Sequence, residues 1–555
     1  MISRILVILL ISYFCVVNLS FAKAELSDSQ YAIASAHALA SKAGETVLQA
    51  GGNAFDAAVA ISAALAVVEP FGSGIGGGGF WLLHDAKQDR DIVIDGREVA
   101  PLAATKDMYL DAQGKLTRLS IDGPLAAGIP GVIAALELIS NQYGRLTLKQ
   151  NLQPAIDYAS NGFKVGAHYA RFVAFREKAF NASAREIFLH NDQVPQPGHR
   201  LYQYDLANTL TLIADHGAQV FYQGMLAELL VKGNKQAGGI WQAQDLANYK
   251  IHIREPIYSK YYGLDIIMPP PPTSGGVVIT QILSMLERTG TIDLQNIESI
   301  HKVVEAMRRA YQDRAVYLGD PAFTDIPMQR LLSKQYAKNK FKDFNPDKAS
   351  VSQAFVNVQR KQGEDTSHFS VLDSEGNYVA ATLSINYPFG SGFVVPGTGV
   401  LLNDEMDDFS MAGGVANVYG LVGSNANSIQ PGKRMLSSMT PLFVRNDKKT
   451  LIIGTPGGSR IISMLALAIL NYQQGANAQQ IVSHERFHHQ YLPDEIQFEP
   501  DALSQNEQQQ LSNKGHKLNA LSGQYGNMHA IIWNKANNKI DAASDPRGEG
   551  LAIVH

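Results

Sequence analysis

The sequence reads Asp365-Thr366-Ser367-His368-Phe369-Ser370-Val371-Leu372-Asp373 at one point, and this stretch sets two adjacent hydroxyl residues at the head of an alternating, strand-like run. A hydroxyl residue at a newly formed chain terminus can use its own α-amine as a general base, because that amine has a pKa of roughly 7.7 to 8. The stretch therefore predicts that the chain cuts itself here. The residues alone leave Thr366 and Ser367 both open as the nucleophile.

The surroundings of this stretch predict a strand-rich C-terminal piece behind an exposed segment. Residues 359–365 are polar and lack apolar periodicity, so we expect them to be exposed before the strand. Four short apolar runs predict strands, and a longer one predicts a helix: strands at 368–372, 379–385, 399–402 and 450–453, and a helix at 461–472. Far upstream, the alanine-rich residues 32–68 predict two helices broken at Gly51-Gly52-Asn53.

The N-terminus reads as a secretory signal over residues 1–24. Arg4 supplies the basic region, an apolar run follows, and small residues mark cleavage after Ala22 or Ala24. The only cysteine, Cys15, lies inside this signal, so the mature chain has no disulfide, thiol nucleophile or thiolate metal site. No later apolar run is long enough for a membrane anchor. We expect a periplasmic or secreted protein.

The charge of the 555-residue chain gives no sign of a nucleic-acid partner. Removing residues 1–24 takes away Arg4 and Lys23 and no acid, so 47 basic residues become 45 against 51 acidic ones, a net charge of −6.

Several separated motifs accompany the central stretch in a fixed order. Taken together they closely resemble the γ-glutamyltranspeptidase (glutathione hydrolase) family of N-terminal nucleophile hydrolases, over nearly the whole mature chain. The motifs are Gly72-Ser73-Gly74-Ile75-Gly76-Gly77-Gly78-Gly79-Phe80, Asp95-Gly96-Arg97-Glu98, Pro269-Pro270-Pro271-Pro272-Thr273-Ser274-Gly275-Gly276, Ser384-Ile385-Asn386, Asn403-Asp404-Glu405-Met406-Asp407-Asp408-Phe409, Pro431-Gly432-Lys433-Arg434-Met435-Leu436-Ser437-Ser438-Met439 and Gly454-Thr455-Pro456-Gly457-Gly458-Ser459-Arg460.

The resemblance implies a four-layer αββα sandwich of mixed α/β type, cut between Asp365 and Thr366. Residues 25–365 would form a large subunit and residues 366–555 a small catalytic subunit, together one intertwined domain. It selects Thr366 as the nucleophile, first in cutting the chain and then in attacking the substrate. Ser384 would hydrogen-bond this nucleophile, in place of the commoner threonine of the family.

The resemblance also implies how the substrate is held. Backbone N–H groups of Gly457 and Gly458 would stabilise the oxyanion of acyl transfer. A γ-glutamyl group carries a free α-carboxylate and a free α-ammonium, so its pocket needs cations or donors at one end and acids or amides at the other. The residues that match the family pattern are Arg97, Ser437 and Ser438 for the carboxylate, and Asn386, Glu405 and Asp408 for the amino end.

Residues 410–425 resemble the lid loop that covers this pocket in some members, with Tyr419 as its capping aromatic. Relatives generally carry proline or a charge where Gly413, Gly414 and Ala416 stand here. This lid is therefore expected to be looser than theirs.

Three other patterns match functional motifs, but we expect each of them to have only a structural role or none. The glycine run from Gly72 to Gly79 matches a dinucleotide signature but follows a helix-like segment, whereas that signature requires a strand. His484, His488 and His489 lack the order of a metalloprotease motif, and the family needs no metal or cofactor, so we expect structural hydrogen bonds. Asn181-Ala182-Ser183 matches a glycosylation acceptor only by a frequent three-residue pattern.

The leading hypothesis is an exported, self-cleaving glutathione hydrolase and γ-glutamyltransferase. It would pass the acyl group of glutathione or another γ-glutamyl compound to water, an amino acid or a dipeptide. One alternative is a glutaryl-amide acylase of the cephalosporin type on the same scaffold; glutaryl lacks the amino group, which would leave Glu405 and Asp408 without a partner. Another is a non-catalytic periplasmic protein that binds γ-glutamyl peptides.

Overall fold

The computed structural model describes residues 30–353, 366–411, 417, 420–421 and 423–555. The predicted signal, the polar segment 359–365 with Asp365, and the lid residue Tyr419 lie outside these ranges. None of the described helices has the length and apolar character needed to cross a bilayer.

The strands of the described ranges are mostly short. They are β1 (Ala32–Ser35), β2 (Gly78–Asp85), β3 (Arg90–Asp95), β4 (Phe163–Lys164), β5 (Arg200–Leu201), β6 (His252–Arg254), β7 (Ile257–Tyr261), β8 (Leu264–Met268), β9 (Ser367–Leu372), β10 (Tyr378–Ser384), β11 (Leu442–Arg445), β12 (Lys449–Gly454), β13 (Phe487–His488), β14 (Ile496–Phe498), β15 (Leu518–Ala520), β16 (His529–Asn534), β17 (Lys539–Ser544) and β18 (Leu551–Val554).

The helices vary from single turns to the long α12. They are α1 (Ala38–Gln49), α2 (Ala54–Val68), α3 (Val132–Tyr143), α4 (Leu148–Asn161), α5 (Ala167–Arg176), α6 (Ala182–Phe188), α7 (Tyr204–His216), α8 (Gln219–Tyr222), α9 (Met225–Gln236), α10 (Ala243–Ala247), α11 (Gly275–Leu286), α12 (Ile297–Tyr317), α13 (Met328–Leu331), α14 (Lys334–Lys340), α15 (Ile461–Gln473), α16 (Ala478–Ser483) and α17 (Gln505–Asn513).

Two antiparallel sheets form the centre of the fold. The larger has the order β18-β1-β9-β10-β2-β3-β6, and the smaller has the order β17-β16-β12-β11-β8-β7. The sheets face each other: the Ser370 hydroxyl of β9 lies 3.2 Å from the carbonyl oxygens of both Ile452 and His529 in the smaller sheet. Helices α1 and α2 pack on the outer face of the larger sheet, α11 and α16 pack against the smaller one, and α15 packs against α11 and α16. The predicted αββα sandwich is confirmed.

Successive residues of a strand point to opposite faces of the sheet, so the larger sheet contributes to two hydrophobic cores, one on each face. In β2, Trp81 and Leu83 pack with the helical layer of α1 and α2, whereas Phe80 and Leu82 point into the core between the sheets. Both faces of the larger sheet are therefore covered, which explains why β9 is buried at every residue.

For residues 32–68 we predicted two helices with a break at Gly51-Gly52-Asn53. The break is confirmed, but the first residues form a strand and not a helix. Asn53 caps α2 by accepting hydrogen bonds from the backbone N–H groups of Phe55 and Asp56. Ala32–Ser35, however, is a strand, because pairing with β9 and β18 outweighs the helix propensity of alanine.

A further strand prediction is wrong, whereas the structural hydrogen bonding expected of the histidine cluster is present. Within residues 399–402, Leu401 and Leu402 make isolated bridges and no strand forms, since Gly399 has a φ of +67° that turns the chain. The histidine cluster follows α16, which ends at Ser483. His488 forms hydrogen bonds with Ser463 and Gln490, at 2.7 and 2.8 Å.

The buried histidines predict that acid destabilises the fold. Burial lowers the pKa of His529 and of His488 to about 3 and of His489 to about 4. An unfolded chain with an ordinary histidine pKa of about 6.5 binds more protons than the folded one below that pH. Each histidine therefore costs up to about 2 kcal/mol of unfolding free energy between pH 6.5 and pH 5, measurable by urea unfolding.

A matched pair of variants tests this cause. His529→Leu should flatten the pH dependence, because His529 is fully buried and its ring nitrogens have no hydrogen-bond partner among the described residues. His190→Gln, at an exposed turn, should leave the slope unchanged. Equal slopes in both variants would contradict the assignment.

Candidate functional site

Thr366 lies at the start of an interior strand of the larger sheet. It precedes β9, whose Ser367 pairs with Leu383 of β10, so Ser384 comes to lie opposite Thr366. The two hydroxyl oxygens, Thr366 Oγ1 and Ser384 Oγ, are 3.4 Å apart. Thr366 is only 7% exposed. The structure thus brings together the nucleophile and the hydroxyl partner expected from the sequence.

Ser367, the alternative nucleophile, is occupied elsewhere. Its hydroxyl donates a 2.5 Å hydrogen bond to Glu69 Oε2 and is fully buried. Burial raises the pKa of Glu69 to about 8, although the bond from Ser367 opposes the shift. The sequence analysis missed Glu69, and its only signal there was an acid directly after a long apolar helix. This geometry favours Thr366 over Ser367.

The glycine run before β2 is required by close packing at the site. A side chain at Gly77 would place its Cβ 2.2 Å from the carbonyl oxygen of Ser384, and one at Gly76 would meet the carbonyl oxygen of Leu401 at 2.1 Å. The preceding segment is helix α2 and not a strand. The run is therefore a structural turn that lets the backbone pass behind Ser384, as the resemblance implies.

A cavity of about 20 Å³ opens beside Thr366, which we call the donor cavity. Nine of the residues predicted for the site line it. They are Arg97, Thr366, Ser384, Asn386, Glu405, Asp408, Ser437, Ser438 and Gly458. The volume is close to that of a single water, so a larger ligand requires these side chains to move.

The reason for the small volume is that Arg97 is bonded directly to the predicted amino-end acids. Its Nη1 donates to Glu405 Oε2 at 2.5 Å and its Nη2 to Asp408 Oδ2 at 2.6 Å. The sequence analysis places Arg97 and these acids at opposite ends of a ligand, whereas here they satisfy each other. A ligand with both charges must exchange partners with this cluster.

A third carboxyl, Glu98, completes the cluster and had no predicted role. It is fully buried, its Oε2 lies 3.6 Å from Arg97 Nη1, and neither oxygen has a hydrogen-bond partner among the described residues. Burial and the neighbouring Glu405 hold the pKa of Glu98 well above its usual range. Burial also raises the pKa of Glu405 and outweighs the attraction of Arg97. Glu98 therefore holds its proton more tightly than an ordinary carboxyl, since one guanidinium cannot balance three carboxylates.

The other polar residues of the donor cavity are held in place by backbone hydrogen bonds and by Arg314, a cation that the sequence analysis did not identify. Asn386 has a φ of +75° and its backbone N–H donates to Ser384 Oγ at 2.8 Å. Buried Arg314 of α12 donates to Ser438 Oγ at 3.1 Å and to Ser274 Oγ at 2.9 Å. Ser274 in turn donates to the carbonyl of Ser437. The proline-rich motif therefore anchors the serine pair.

Gly457 and Gly458 lead into the N-terminus of α15. Their φ angles are +134° and +54°, which favours glycine at both positions. Gly458 lines the donor cavity, whereas Gly457 does not. Backbone N–H groups at a helix N-terminus are suitable donors for a negative charge.

Part of the predicted lid reaches the donor cavity. Asn417 Nδ2 donates to Asp408 Oδ1 at 3.0 Å, and Leu421 lines the cavity. The backbone N–H of Leu421 donates to Asn417 Oδ1. These contacts connect residues 410–425 to the acid that holds Arg97.

Comparison with known proteins gives a family match. Residues 40–555 match the sequence model described as gamma-glutamyltranspeptidase. The chain is 42% identical over 540 residues to the glutathione hydrolase proenzyme of Pseudomonas sp. (strain A14), covering 94% of this chain and 93% of that protein.

Two solved structures share the architecture. The cephalosporin acylase from Bacillus halodurans is 26% identical with a TM-score of 0.84, over 95% of this chain and 96% of that one. The Helicobacter pylori gamma-glutamyltranspeptidase is 43% identical with a TM-score of 0.55, over 57% of this chain and 91% of that one. The lower TM-score of the second goes with the smaller share of this chain that it covers.

The charge cluster predicts a large stability cost when its only guanidinium is removed. Arg97→Met leaves Glu405 and Asp408 buried without their partner, so the unfolding free energy should fall by about 3 to 5 kcal/mol in urea unfolding. Adding Glu405→Gln should restore part of this loss. Arg118→Met, which removes an arginine from the exposed pair with Asp122, should cost less than about 1 kcal/mol. Equal costs for Arg97→Met and Arg118→Met would contradict this account of the cluster.

Proposed function

Because this chain belongs to the γ-glutamyltranspeptidase family, we propose that it is an exported, self-processing glutathione hydrolase and γ-glutamyltransferase. The observation that carries the proposal is that Thr366, the residue to which we assign the role of nucleophile, lies beside a buried cluster of one guanidinium and several carboxyls. Such a cluster complements both charges of an α-amino acid end group.

Processing comes first in this proposal. The hydroxyl of Thr366 attacks the carbonyl carbon of Asp365, and the acyl group passes from nitrogen to oxygen to give an ester. The shift breaks the amide bond and frees the α-amine of Thr366, and water then hydrolyses the ester, which separates the two chains and restores the Thr366 hydroxyl. The products are a large subunit, residues 25–365, and a small subunit, residues 366–555, which stay together as a heterodimer. The word proenzyme in the names of relatives agrees with such processing.

Turnover then uses the freed terminus. The α-amine of Thr366 takes the hydroxyl proton while Oγ1 attacks the γ-carbonyl carbon of the substrate. Backbone N–H groups of Gly457 and Gly458 stabilise the tetrahedral oxyanion. The C–N bond breaks, the proton passes to the leaving amine, and a γ-glutamyl ester remains on Thr366. Water, or the amine of an amino acid or dipeptide, then attacks this ester with the same terminus as base.

Donor binding exchanges partners within the cluster. The substrate α-carboxylate takes the guanidinium of Arg97 and the hydroxyls of Ser437 and Ser438, while its α-ammonium takes Glu405 and Asp408, with Asn386 beside them. Tyr419, outside the described residues, would cap the pocket. Each charge that leaves the Arg97 ion pairs is replaced by a charge of the same sign, so no group is left buried and unpaired.

The site of action follows from the N-terminus. Residues 1–24 have the pattern of a secretory signal, so the protein acts in the periplasm or outside the cell, on glutathione or other γ-glutamyl compounds found there.

A glutaryl-amide acylase remains the second candidate because of the likeness to the Bacillus halodurans cephalosporin acylase. Glutaryl has no α-ammonium, so its carboxylate would take Arg97 away from Glu405 and Asp408 and leave them buried without a cation. That cost favours γ-glutamyl donors.

Donor preference tests the proposal directly. The mature protein should release p-nitroaniline at least about tenfold faster from γ-glutamyl-p-nitroanilide than from glutaryl-p-nitroanilide, since losing one buried charge partner costs more than about 1.4 kcal/mol. Glycylglycine should raise the first rate further. Faster release from the glutaryl compound would establish that the protein is a glutaryl-amide acylase. Absence of release from both compounds would favour the non-catalytic binding protein.

Processing offers a test with a matched control. Thr366→Ala should stay one uncut, inactive chain, because it lacks the attacking hydroxyl. Ser367→Ala should still be cut, since the Ser367 hydroxyl is already held by Glu69. Gel electrophoresis and mass measurement of the fragments report both results. Cutting of Thr366→Ala after Asp365 would refute the self-processing mechanism.

A further inference from the structure

A second cavity reaches Thr366 from outside the donor cavity. It has a volume of about 240 Å³, many times that of one water. Among the described residues, Thr366 is the only one that lines both cavities. We call this space the amine cavity, for the reason that follows.

The chemistry of acyl transfer requires a separate space for the amine. When Thr366 Oγ1 bonds the γ-carbonyl carbon, the glutamyl chain occupies the donor cavity and the oxyanion faces the Gly457–Gly458 turn. The departing amine must lie near the α-amine of Thr366, which gives it a proton. By microscopic reversibility an incoming acceptor amine occupies the same place. The second cavity is therefore where the leaving and accepting amines belong.

Two arginines line the amine cavity, and they differ in whether their guanidinium groups are already paired with carboxylates. Arg547 lines it but is already committed, with Nη2 2.7 Å from Glu499 Oε2 and Nη1 3.1 Å from Asp545 Oδ1. Arg171 also lines it and is exposed. Within the described part of the chain, Arg171 has no carboxylate at ion-pair distance; its Nη2 lies 3.3 Å from His168 Nδ1. Arg171 is thus the cation available to a ligand.

The helix α5 presents Arg171 on an apolar wall. His168, Arg171 and Phe172 follow the spacing of one helix face, and the guanidinium carbon of Arg171 lies 4.9 Å from the centre of the Phe172 ring. Phe71 stacks on Phe172 at 4.9 Å between ring centres. This wall holds the guanidinium at the exposed end of the cavity.

The buried end of the cavity has the opposite character. Glu69 is 4% exposed and lies beside Ser367, the neighbour of the nucleophile. A carboxyl oxygen at the deep end can accept a hydrogen bond from an amine, and the guanidinium at the rim can bind a carboxylate, so the two ends match a molecule with an amine at one end and a carboxylate at the other. Free amino acids, dipeptides and cysteinylglycine are such molecules.

We propose that Arg171 binds the free carboxylate of the amine component, both the leaving cysteinylglycine and an accepting amino acid or dipeptide. This role rests on the proposed γ-glutamyl transfer and concerns the other half of the reaction. Arg171 is then a specificity-determining residue that favours amines bearing a carboxylate over neutral ones, without touching the donor's glutamyl group.

Hydrolysis of three donors with different leaving groups tests this role. Glutathione releases an amine with a carboxylate, its glycine amide releases the same amine without one, and γ-glutamyl-p-nitroanilide releases an uncharged aniline. Arg171→Ala should lower kcat/KM for glutathione about tenfold, the effect of one charge-assisted contact at a partly exposed site. The p-nitroanilide value should stay within about twofold, and the preference for glutathione over its amide should disappear.

The control is Lys178→Ala, which removes one exposed positive charge just after α5 and outside the cavity. It should leave all three values unchanged, and Arg171→Lys should retain part of the preference for glutathione. An equal loss on all three donors with Arg171→Ala, or no loss on glutathione, would overturn the role of Arg171. A wild-type protein inactive on γ-glutamyl-p-nitroanilide would instead overturn the proposed function, and this inference with it.

Discussion

The position of Thr366 depends on a strand that cannot move. Strand β9 is bonded to β1 on one side and β10 on the other, and every residue from Ser367 to Leu372 is buried between a helical layer and the second sheet. Displacing its first residue would break ladder hydrogen bonds in a water-free environment. Thr366, the proposed nucleophile, is therefore placed by the most constrained part of the fold, while most of the groups around it, apart from Ser384 at the end of β10, come from loops.

In the proposed function the Arg97 cluster makes the donor site both closed and specific. Without a ligand the ion pairs of Arg97 with Glu405 and Asp408 satisfy the buried charges and fill the donor cavity. A zwitterionic end group can replace these pairs one for one, but a ligand with only one of the charges leaves a buried group unpaired. Part of the binding energy is used to break the internal pairs, so the cluster contributes more to selectivity than to affinity.

The sequence predicts which residues lie together beside Thr366 better than it predicts how they bond to one another. Thr366, Ser384 and the donor residues stand in motifs that resemble those of the family, and it was this resemblance that grouped them into one expected site. Ala32–Ser35 was misassigned because alanine favours a helix in isolation, and only pairing with β18 at the far end of the chain makes it a strand. Glu69, Glu98 and Arg314 gave no signal of their roles, because those roles arise from burial, which depends on contacts across long stretches of sequence. The direct bond between Arg97 and the opposing acids was equally invisible, since no spacing rule links residues so far apart.

The strand order of the larger sheet has a consequence for how a cut chain could ever come apart. Strands β9 and β10 follow Thr366 in sequence, yet they lie between β1 and β2, which precede it, while β18 lies outside β1. A break before Thr366 would therefore create two polypeptides whose strands alternate in one sheet. Neither polypeptide would have a complete sheet or core without the other. Separating the two polypeptides would require unfolding the sheet, so two molecules could not exchange subunits in solution. Each molecule would keep for its lifetime the pair of chains with which it folded.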